Sequence, residues 1–200
     1  APAQLLPVVL SEQRGGLSFF YWGLSPERSR NKTVSEKITC KKAEDLLVKP
    51  LYRKLLMTHR CLIPADGFYL WKPLTRKTEV PYRITIPALG LFGFAGLWEE
   101  FEDEAGEVRH TFSIITTQAT GKIGELQERA PLVITADQEE VWLSDKSTEE
   151  AVRSVLETQQ IWEPEIYSVS PAIEDTQQDL ASMIRPAPPA DQYGNLTLFG

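Results

Sequence analysis

The chain has 200 residues, of which 42% are hydrophobic and 24% are charged, and its formal net charge is −7. This composition is typical of a soluble globular domain. No apolar run reaches the roughly 18 residues that cross a bilayer, and no secretory signal is visible, so we expect a cytoplasmic protein without membrane contact. Cys40 and Cys61 are too few for a disulfide framework, and with only two histidines we expect no metal site.

Positive charge is concentrated in one stretch of the chain. Between Glu27 and Arg60 there are ten basic residues against four acids, a net charge of +6, so the remaining residues carry −13. A basic segment in an acidic chain is a candidate surface for an anionic partner. A solvated loop followed by the polar face of a helix explains the same pattern, and composition alone favours that explanation.

The pattern of apolar and turn-forming residues predicts the first elements of the fold. Residues 5–10 and 17–22 are predicted strands, and residues 23–34 a loop. A helix is predicted over residues 42–57, ending or kinking near Lys49 because Pro50 cannot continue it. The strands predicted next cover residues 60–64, 68–71, 82–86, 91–98, 109–117 and 132–135.

The second half of the chain changes character after residue 135. Helices are predicted over residues 137–143 and 148–156, with caps at Thr135 and Ser147, and a last strand over 166–169. Many short strands with few helices indicate an α+β single domain, built on a curled, barrel-like, mainly antiparallel sheet flanked by short helices. We expect this domain to cover residues 1–185, followed by a loosely held Pro-rich tail over 186–200.

A search for catalytic patterns gives no positive result. The sequence has no phosphate-binding loop, dinucleotide fingerprint, nucleophile elbow or zinc-protease helix. Neither histidine has a Ser or Cys at a recognisable motif spacing. We therefore expect no cofactor, and the residues alone establish no reaction.

Six segments nevertheless follow the order of motifs in one known family. They are Trp22-Gly23-Leu24-Ser25-Pro26, Arg60 to Trp71 (RCLIPADGFYLW), Phe94 to Trp98 (FAGLW), Phe112 to Ala119 (FSIITTQA), Gln127 to Pro131 (QERAP) and Tyr167 to Ser170 (YSVS). Together they resemble the SOS response-associated peptidase (SRAP) family. The resemblance covers residues 5 to 185.

The resemblance implies a covalent chemistry on DNA. Family members recognise abasic sites in single-stranded DNA through an N-terminal Cys, whose amine and thiol close a thiazolidine with the sugar aldehyde. A Glu acts as general acid and base, a His assists proton transfer, and an Asn positions the reacting groups. The same Cys removes a leader peptide in members that have one.

At the positions that match these roles, this sequence has other residues. Cys40 replaces the Asn, Leu70 replaces the Glu and Gln127 replaces the His, so no catalytic residue is intact. Leu70 cannot exchange a proton and Gln127 does not titrate near neutral pH. A thiohemiacetal at Cys40 is conceivable, but we interpret Cys40 as a small polar filler and Cys61 as a core residue. The N-terminal Cys has no counterpart, and we expect the family's first segment to be missing from this chain.

The resemblance also implies residues that contact DNA. Arg129 and Lys42 match two basic positions of the family, and Thr116 lies on the Thr-rich strand beside its pocket. Arg30, Lys32 and Lys41 belong to a basic loop where relatives hold single-stranded DNA. The expected function is therefore binding of single-stranded or abasic-site DNA by a monomer, without catalysis.

Two alternatives stay open at this point. The protein could be an active crosslinking enzyme and autopeptidase whose Cys-bearing segment precedes this chain. It could also be a protein-interaction module that retains only the fold. Whether it is an enzyme is therefore not decided by the sequence.

Overall fold

The computed structural model describes residues 1–11, 16–23, 39–102 and 106–197. The strands are β1 (Leu5–Leu10), β2 (Ser18–Trp22), β3 (Cys40–Lys42), β4 (Arg60–Ala65), β5 (Phe68–Pro73), β6 (Glu79–Thr85), β7 (Phe92–Glu102), β8 (Val108–Gln118), β9 (Arg129–Pro131), β10 (Val133–Ile134) and β11 (Glu165–Ser168). The helices are α1 (Ala43–Val48), α2 (Pro50–Thr58), α3 (Gly121–Gly124), α4 (Ala136–Leu143) and α5 (Glu149–Leu156), with 3-10 turns at Pro171–Glu174 and Ala181–Ile184.

The chain divides into two compact units. The first unit comprises residues 1–65, 92–117 and 131–160, and the second comprises residues 66–91, 118–130 and 161–200. No helix in the described part of the chain is long and apolar enough to cross a membrane.

A closed ring of five strands forms the first unit. The order β7-β4-β1-β2-β8 returns to β7 through an antiparallel β7–β8 pairing, and only the β2–β8 contact within this ring is parallel. Strand β10 adds to β7, and β3 adds to β8. The predicted α+β fold with a curled, barrel-like, mainly antiparallel sheet is confirmed.

Successive side chains along the strands of this sheet lie on opposite faces, and both faces are apolar. Leu62, Leu97 and Ile115 point outward and pack with residues of α1, α2, α4 and α5 into one core, in which Trp142 is completely buried. Cys61 lies on the opposite face of β4 and is also fully buried, as predicted. The helices therefore shield one side of the strands that carry candidate site residues.

Local sequence explains where the helices begin and end. Lys49 adopts an extended conformation between α1 and α2, and Pro50 occupies the first turn of α2, so the predicted break is confirmed. Thr135 caps α4 through a capping box with Gln138, also as predicted. The cap of α5 is Thr148 and not Ser147, because Thr148 Oγ1 accepts the hydrogen bond from the backbone N–H of Ala151.

The second unit is built on a three-stranded antiparallel sheet in the order β11-β6-β5. In its C-terminal segment a few described residues form hydrogen bonds, and the expectation of a loosely held tail over 186–200 stays a prediction. Asp191 is 6% exposed, and its carboxylate accepts hydrogen bonds from the backbone N–H groups of Tyr193 and Asn195. The Gln192 side chain binds the backbone of Lys77, which ties this turn to the start of the sheet.

Candidate functional site

In the first unit, the predicted site residues lie on strand β3 and its neighbour β8. The register places Cys40 opposite Ile114 and Lys42 opposite Thr116. Residues directly opposite in a sheet share a face, so Cys40, Lys42 and Thr116 lie on one side of the sheet. Cys40 and Lys42 are exposed and Thr116 is half-buried. Cys40 is thus open to solvent, and its interpretation as a small polar filler stays a prediction.

Lys41, between them, points to the other side of the sheet. Its Nζ lies 2.9 Å from Glu99 Oε2 and 5.3 Å from the ring centroid of Tyr52, and its side chain is only 12% exposed. The ammonium that was predicted to contact DNA is thus engaged within the protein. Lys42 is left as the exposed cation of this strand.

Three further basic residues in the described part of this stretch are engaged in internal contacts. Lys49 forms an ion pair with Asp45, and Arg53 forms one with Glu149. Arg60 is 4% exposed and donates to three backbone carbonyls, those of Leu56, Trp142 and Ser144. Burial lowers the pKa of Arg60, and the nearby charge of Asp145 opposes this effect.

Among the described residues, the positive charge between Glu27 and Arg60 therefore does not form a continuous surface of unpaired cations. Arg30 and Lys32, the two remaining predicted DNA contacts of this stretch, lie outside the described residues.

In the second unit, Leu70 lies within β5, opposite Tyr82, and both residues are 7% exposed. The turn before this strand requires glycine, because a Cβ at Gly67 would lie 2.8 Å from the carbonyl oxygen of Ile84. Glycine at this turn thus leaves room for the Ile84 carbonyl, next to the pairing of β5 with β6. Leu70, which was predicted to replace the family's Glu, is thus an apolar side chain shielded from water.

Gln127 is held next to this strand. Its Nε2 donates to the backbone carbonyl of Trp71 over 2.8 Å, and the residue is half-buried. A histidine could donate a hydrogen bond at the same place, but the Gln amide has no titrating nitrogen. Arg129, two residues further, begins β9 and is also half-buried.

A polar row in the same unit was missed from the sequence. Arg83 lies opposite Tyr69 on β5 and Tyr167 on β11. Its guanidinium donates to the Tyr167 hydroxyl over 2.8 Å and pairs with Asp66 over 3.0 Å. Burial works against this charge, but Tyr167 and Asp66 outweigh it and raise the Arg83 pKa. An Arg within an apolar strand pattern gave no signal of these partners, since they come from distant parts of the chain.

Two other chemical features of the described residues bear on function. Burial raises the pKa of the Cys61 thiol far above its usual range, so this thiol is inert near neutral pH. Within residues 1–11, 16–23, 39–102 and 106–197, no three His, Cys, Asp or Glu side chains are grouped so that they could hold a metal ion.

Comparison with known proteins gives a consistent result. A family model described as SOS response associated peptidase (SRAP) matches residues 1–176. Abasic site processing protein YoqW of Bacillus subtilis (strain 168) is 33% identical over 186 residues, which cover 92% of this chain and 83% of YoqW. Abasic site processing protein YoaM of the same organism is 32% identical, over 92% of this chain and 82% of YoaM. These matches confirm the family resemblance that the six segments predicted.

Solved structures share the fold. A protein from Bacteroides thetaiotaomicron has a TM-score of 0.75 at 24% identity, over 92% of this chain and 82% of that chain. A phage-related protein from Bordetella bronchiseptica has a TM-score of 0.65 at 21% identity, over 98% of this chain and 85% of that chain.

Proposed function

Because the chain belongs to the SOS response associated peptidase (SRAP) family, we propose that it binds abasic sites in single-stranded DNA and forms no covalent bond with them. Two curated relatives, YoqW and YoaM, are named as abasic site processing proteins. The observation that carries the second half of the proposal is Leu70, a 7% exposed apolar residue at the position of the family's general acid and base.

The loss of proton-handling groups is not confined to Leu70. Gln127 stands at the position of the family's His and uses its amide to hold the Trp71 carbonyl. A positioned acid or base contributes about 10²–10⁴-fold to a reaction rate. A protein that has neither the Glu nor the His can still bind a substrate. It lacks the side chains that usually transfer protons during Schiff-base chemistry.

Binding is assigned to the residues that keep the family's charge. Lys42 is exposed on β3 and shares a face with Thr116, which suits a contact with a phosphate. Arg129 adds a planar guanidinium that can bind a phosphate through two hydrogen bonds. Lys41 has no part in this proposal, since its ammonium is paired with Glu99.

Fluorescence anisotropy with a labelled single strand tests the binding half. We expect a strand with one abasic site to bind more tightly than the same strand with an intact base. Lys42→Ala and Arg129→Ala should each weaken binding and lower the slope of log affinity against log salt by about 0.7, the value for one phosphate contact on single strands. Lys54→Ala, which removes an exposed lysine of α2, is the matched control and should change neither quantity.

Two results would overturn the binding proposal. One is the absence of binding by the unmodified protein at low salt. The other is an equal loss in the Lys54→Ala variant, because this would mean that any surface cation contributes and that β3 has no special part.

A further inference from the structure

Strands β2 and β3 lie along the same edge of β8. Trp22 is opposite Phe112 and Cys40 is opposite Ile114, and both strands run parallel to β8. Phe112 and Ile114 each pair with β7 on their other side, so β2 and β3 must share the remaining side. Gly23 continues β2 by donating its N–H to the Phe112 carbonyl over 2.8 Å. Strand β3 therefore continues along β8 beyond the end of β2, and residues 24–38 between the two strands lie outside the described residues.

The segment that ends β2 and the segment that begins β3 meet at Gly23 and Thr39. Gly23 has φ +81°, and a Cβ there would lie 2.8 Å from Thr39 Cγ2. The Trp22 indole Nε1–H donates to the Thr39 carbonyl over 2.9 Å, and Thr39 itself is 6% exposed. Three features thus hold Gly23 and Thr39 together: a left-handed glycine, the close packing of Gly23 against the Thr39 side chain, and the hydrogen bond from the Trp22 indole.

The contact between Gly23 and Thr39 lies directly before β3, and the register of β3 determines on which face of the sheet each of its side chains lies. With the observed register, Lys42 is exposed beside Thr116, and Lys41 points to Glu99. A slip by one residue would exchange the two lysines between the faces. Strand β3 has only three residues, so its own pairing with β8 supplies few hydrogen bonds to resist such a slip.

We propose that Trp22 and Gly23 are positioning residues that fix the register of β3 and thereby place Lys42 beside Thr116 for DNA. This inference rests on the proposed function for the role of Lys42, but the positioning of β3 is a property of the free protein. Trp22 acts through the Thr39 carbonyl and does not itself contact DNA.

The first arm of the test needs no DNA. In Trp22→Phe the aromatic ring is kept and the indole N–H is lost, so hydrogen–deuterium exchange in a peptide spanning residues 39–43 should become faster by about three- to tenfold, the factor of one lost hydrogen bond. Ile84→Val, a variant of a fully buried residue of β6 in the second unit, is the control for general destabilisation and should leave this peptide unchanged. Gly23→Ala perturbs the same segment through the contact of residue 23 with Thr39 and serves if Trp22→Phe does not fold.

The second arm measures whether the register controls Lys42. Lys42→Ala should weaken binding of the abasic strand in the unmodified background and have a clearly smaller effect in the Trp22→Phe background. Unchanged exchange in both Trp22→Phe and Gly23→Ala would overturn the inference, whatever the DNA result. An equal effect of Lys42→Ala in both backgrounds would also overturn it. If the unmodified protein binds no DNA while exchange still rises, the proposed function fails and the positioning of β3 by Trp22 stands.

Discussion

A glutamate introduced at residue 70 tests whether a carboxyl group at this position is shielded from water. This is the position that we predict to match the family's general acid and base. Leu70 is 7% exposed and lies opposite Tyr82, which is equally buried. Leu70→Glu would replace a buried apolar group by a carboxyl that has no assigned partner there. Leu70→Gln has nearly the same shape and never ionises, and it therefore serves as the matched control.

The expected magnitude follows from the burial of this side chain. Complete burial of a leucine contributes about 1.5–3 kcal/mol, part of which the methylenes of Glu or Gln retain. An unsatisfied buried polar group costs about 1–3 kcal/mol. Both variants should therefore lose about 2–5 kcal/mol of unfolding free energy at low pH.

Ionisation then separates the two variants. Burial favours the neutral acid, so the pKa of the new carboxyl should be higher in the folded state than its unfolded value of about 4.3. Since the folded state binds the proton more tightly, stability of the Glu variant falls as pH rises above this value, by about 1.4 kcal/mol for each unit of pKa difference. The Gln variant should show no such fall.

Urea unfolding at pH 4 and pH 8, followed by tryptophan fluorescence, measures these differences. We expect the Glu variant to match the Gln variant near pH 4 and to be clearly less stable at pH 8. If the Glu and Gln variants are equally stable at both pH values, the carboxyl reaches water in the folded state. Residue 70 would then be open to solvent, and our account of why this position cannot support acid–base chemistry would fail.

Three further predictions concern other described residues. Arg60→Met leaves three buried backbone carbonyls without their donor and should lower the unfolding free energy by about 3–5 kcal/mol; a loss under 1 kcal/mol in urea unfolding would contradict this. The side-chain amide of Asn195 and nearby backbone N–H groups lower the pKa of Asp191, so its contribution is present above the unfolded pKa and is lost as pH falls through the folded value. The stability difference between the unmodified protein and Asp191→Asn should therefore shrink from pH 7 to pH 3, and a constant difference would refute this assignment. A thiol-specific reagent should modify Cys40 rapidly and leave Cys61 unreacted in the folded protein, and rapid modification of two thiols would contradict the burial of Cys61.

Local sequence was sufficient for most of the regular elements. The apolar pattern predicted β1 with its observed bounds, and Pro50 predicted the break between α1 and α2. Both depend on neighbours in sequence, because strand alternation and the missing proline N–H act over a few residues. The motif order likewise predicted the family, whereas the replacements assigned to Leu70 and Gln127 stay predictions.

The features that could not be predicted depend on contacts between distant residues. Strand β3 was assigned in part to a helix, since a three-residue strand has no pattern of its own and exists only through its pairing with β8. In the sequence Arg60 counted only as one of ten basic residues, at the start of a predicted strand, whereas its guanidinium donates to carbonyls more than 80 residues away. Lys41 and Lys42 are two identical neighbours in the sequence. Only the register of β3 on β8 determines that Lys41 pairs with Glu99 and that Lys42 is exposed.

The central claim, binding without a covalent bond, is tested most directly by denaturing electrophoresis. The protein in its native full length is incubated with a labelled single strand that contains one abasic site, then heated in denaturant before the gel is run. We predict a strand that migrates as unbound DNA, although the same mixture shows a complex on a native gel. A heat-stable band of protein joined to the strand would contradict the claim and restore this chain to the crosslinking members of its family.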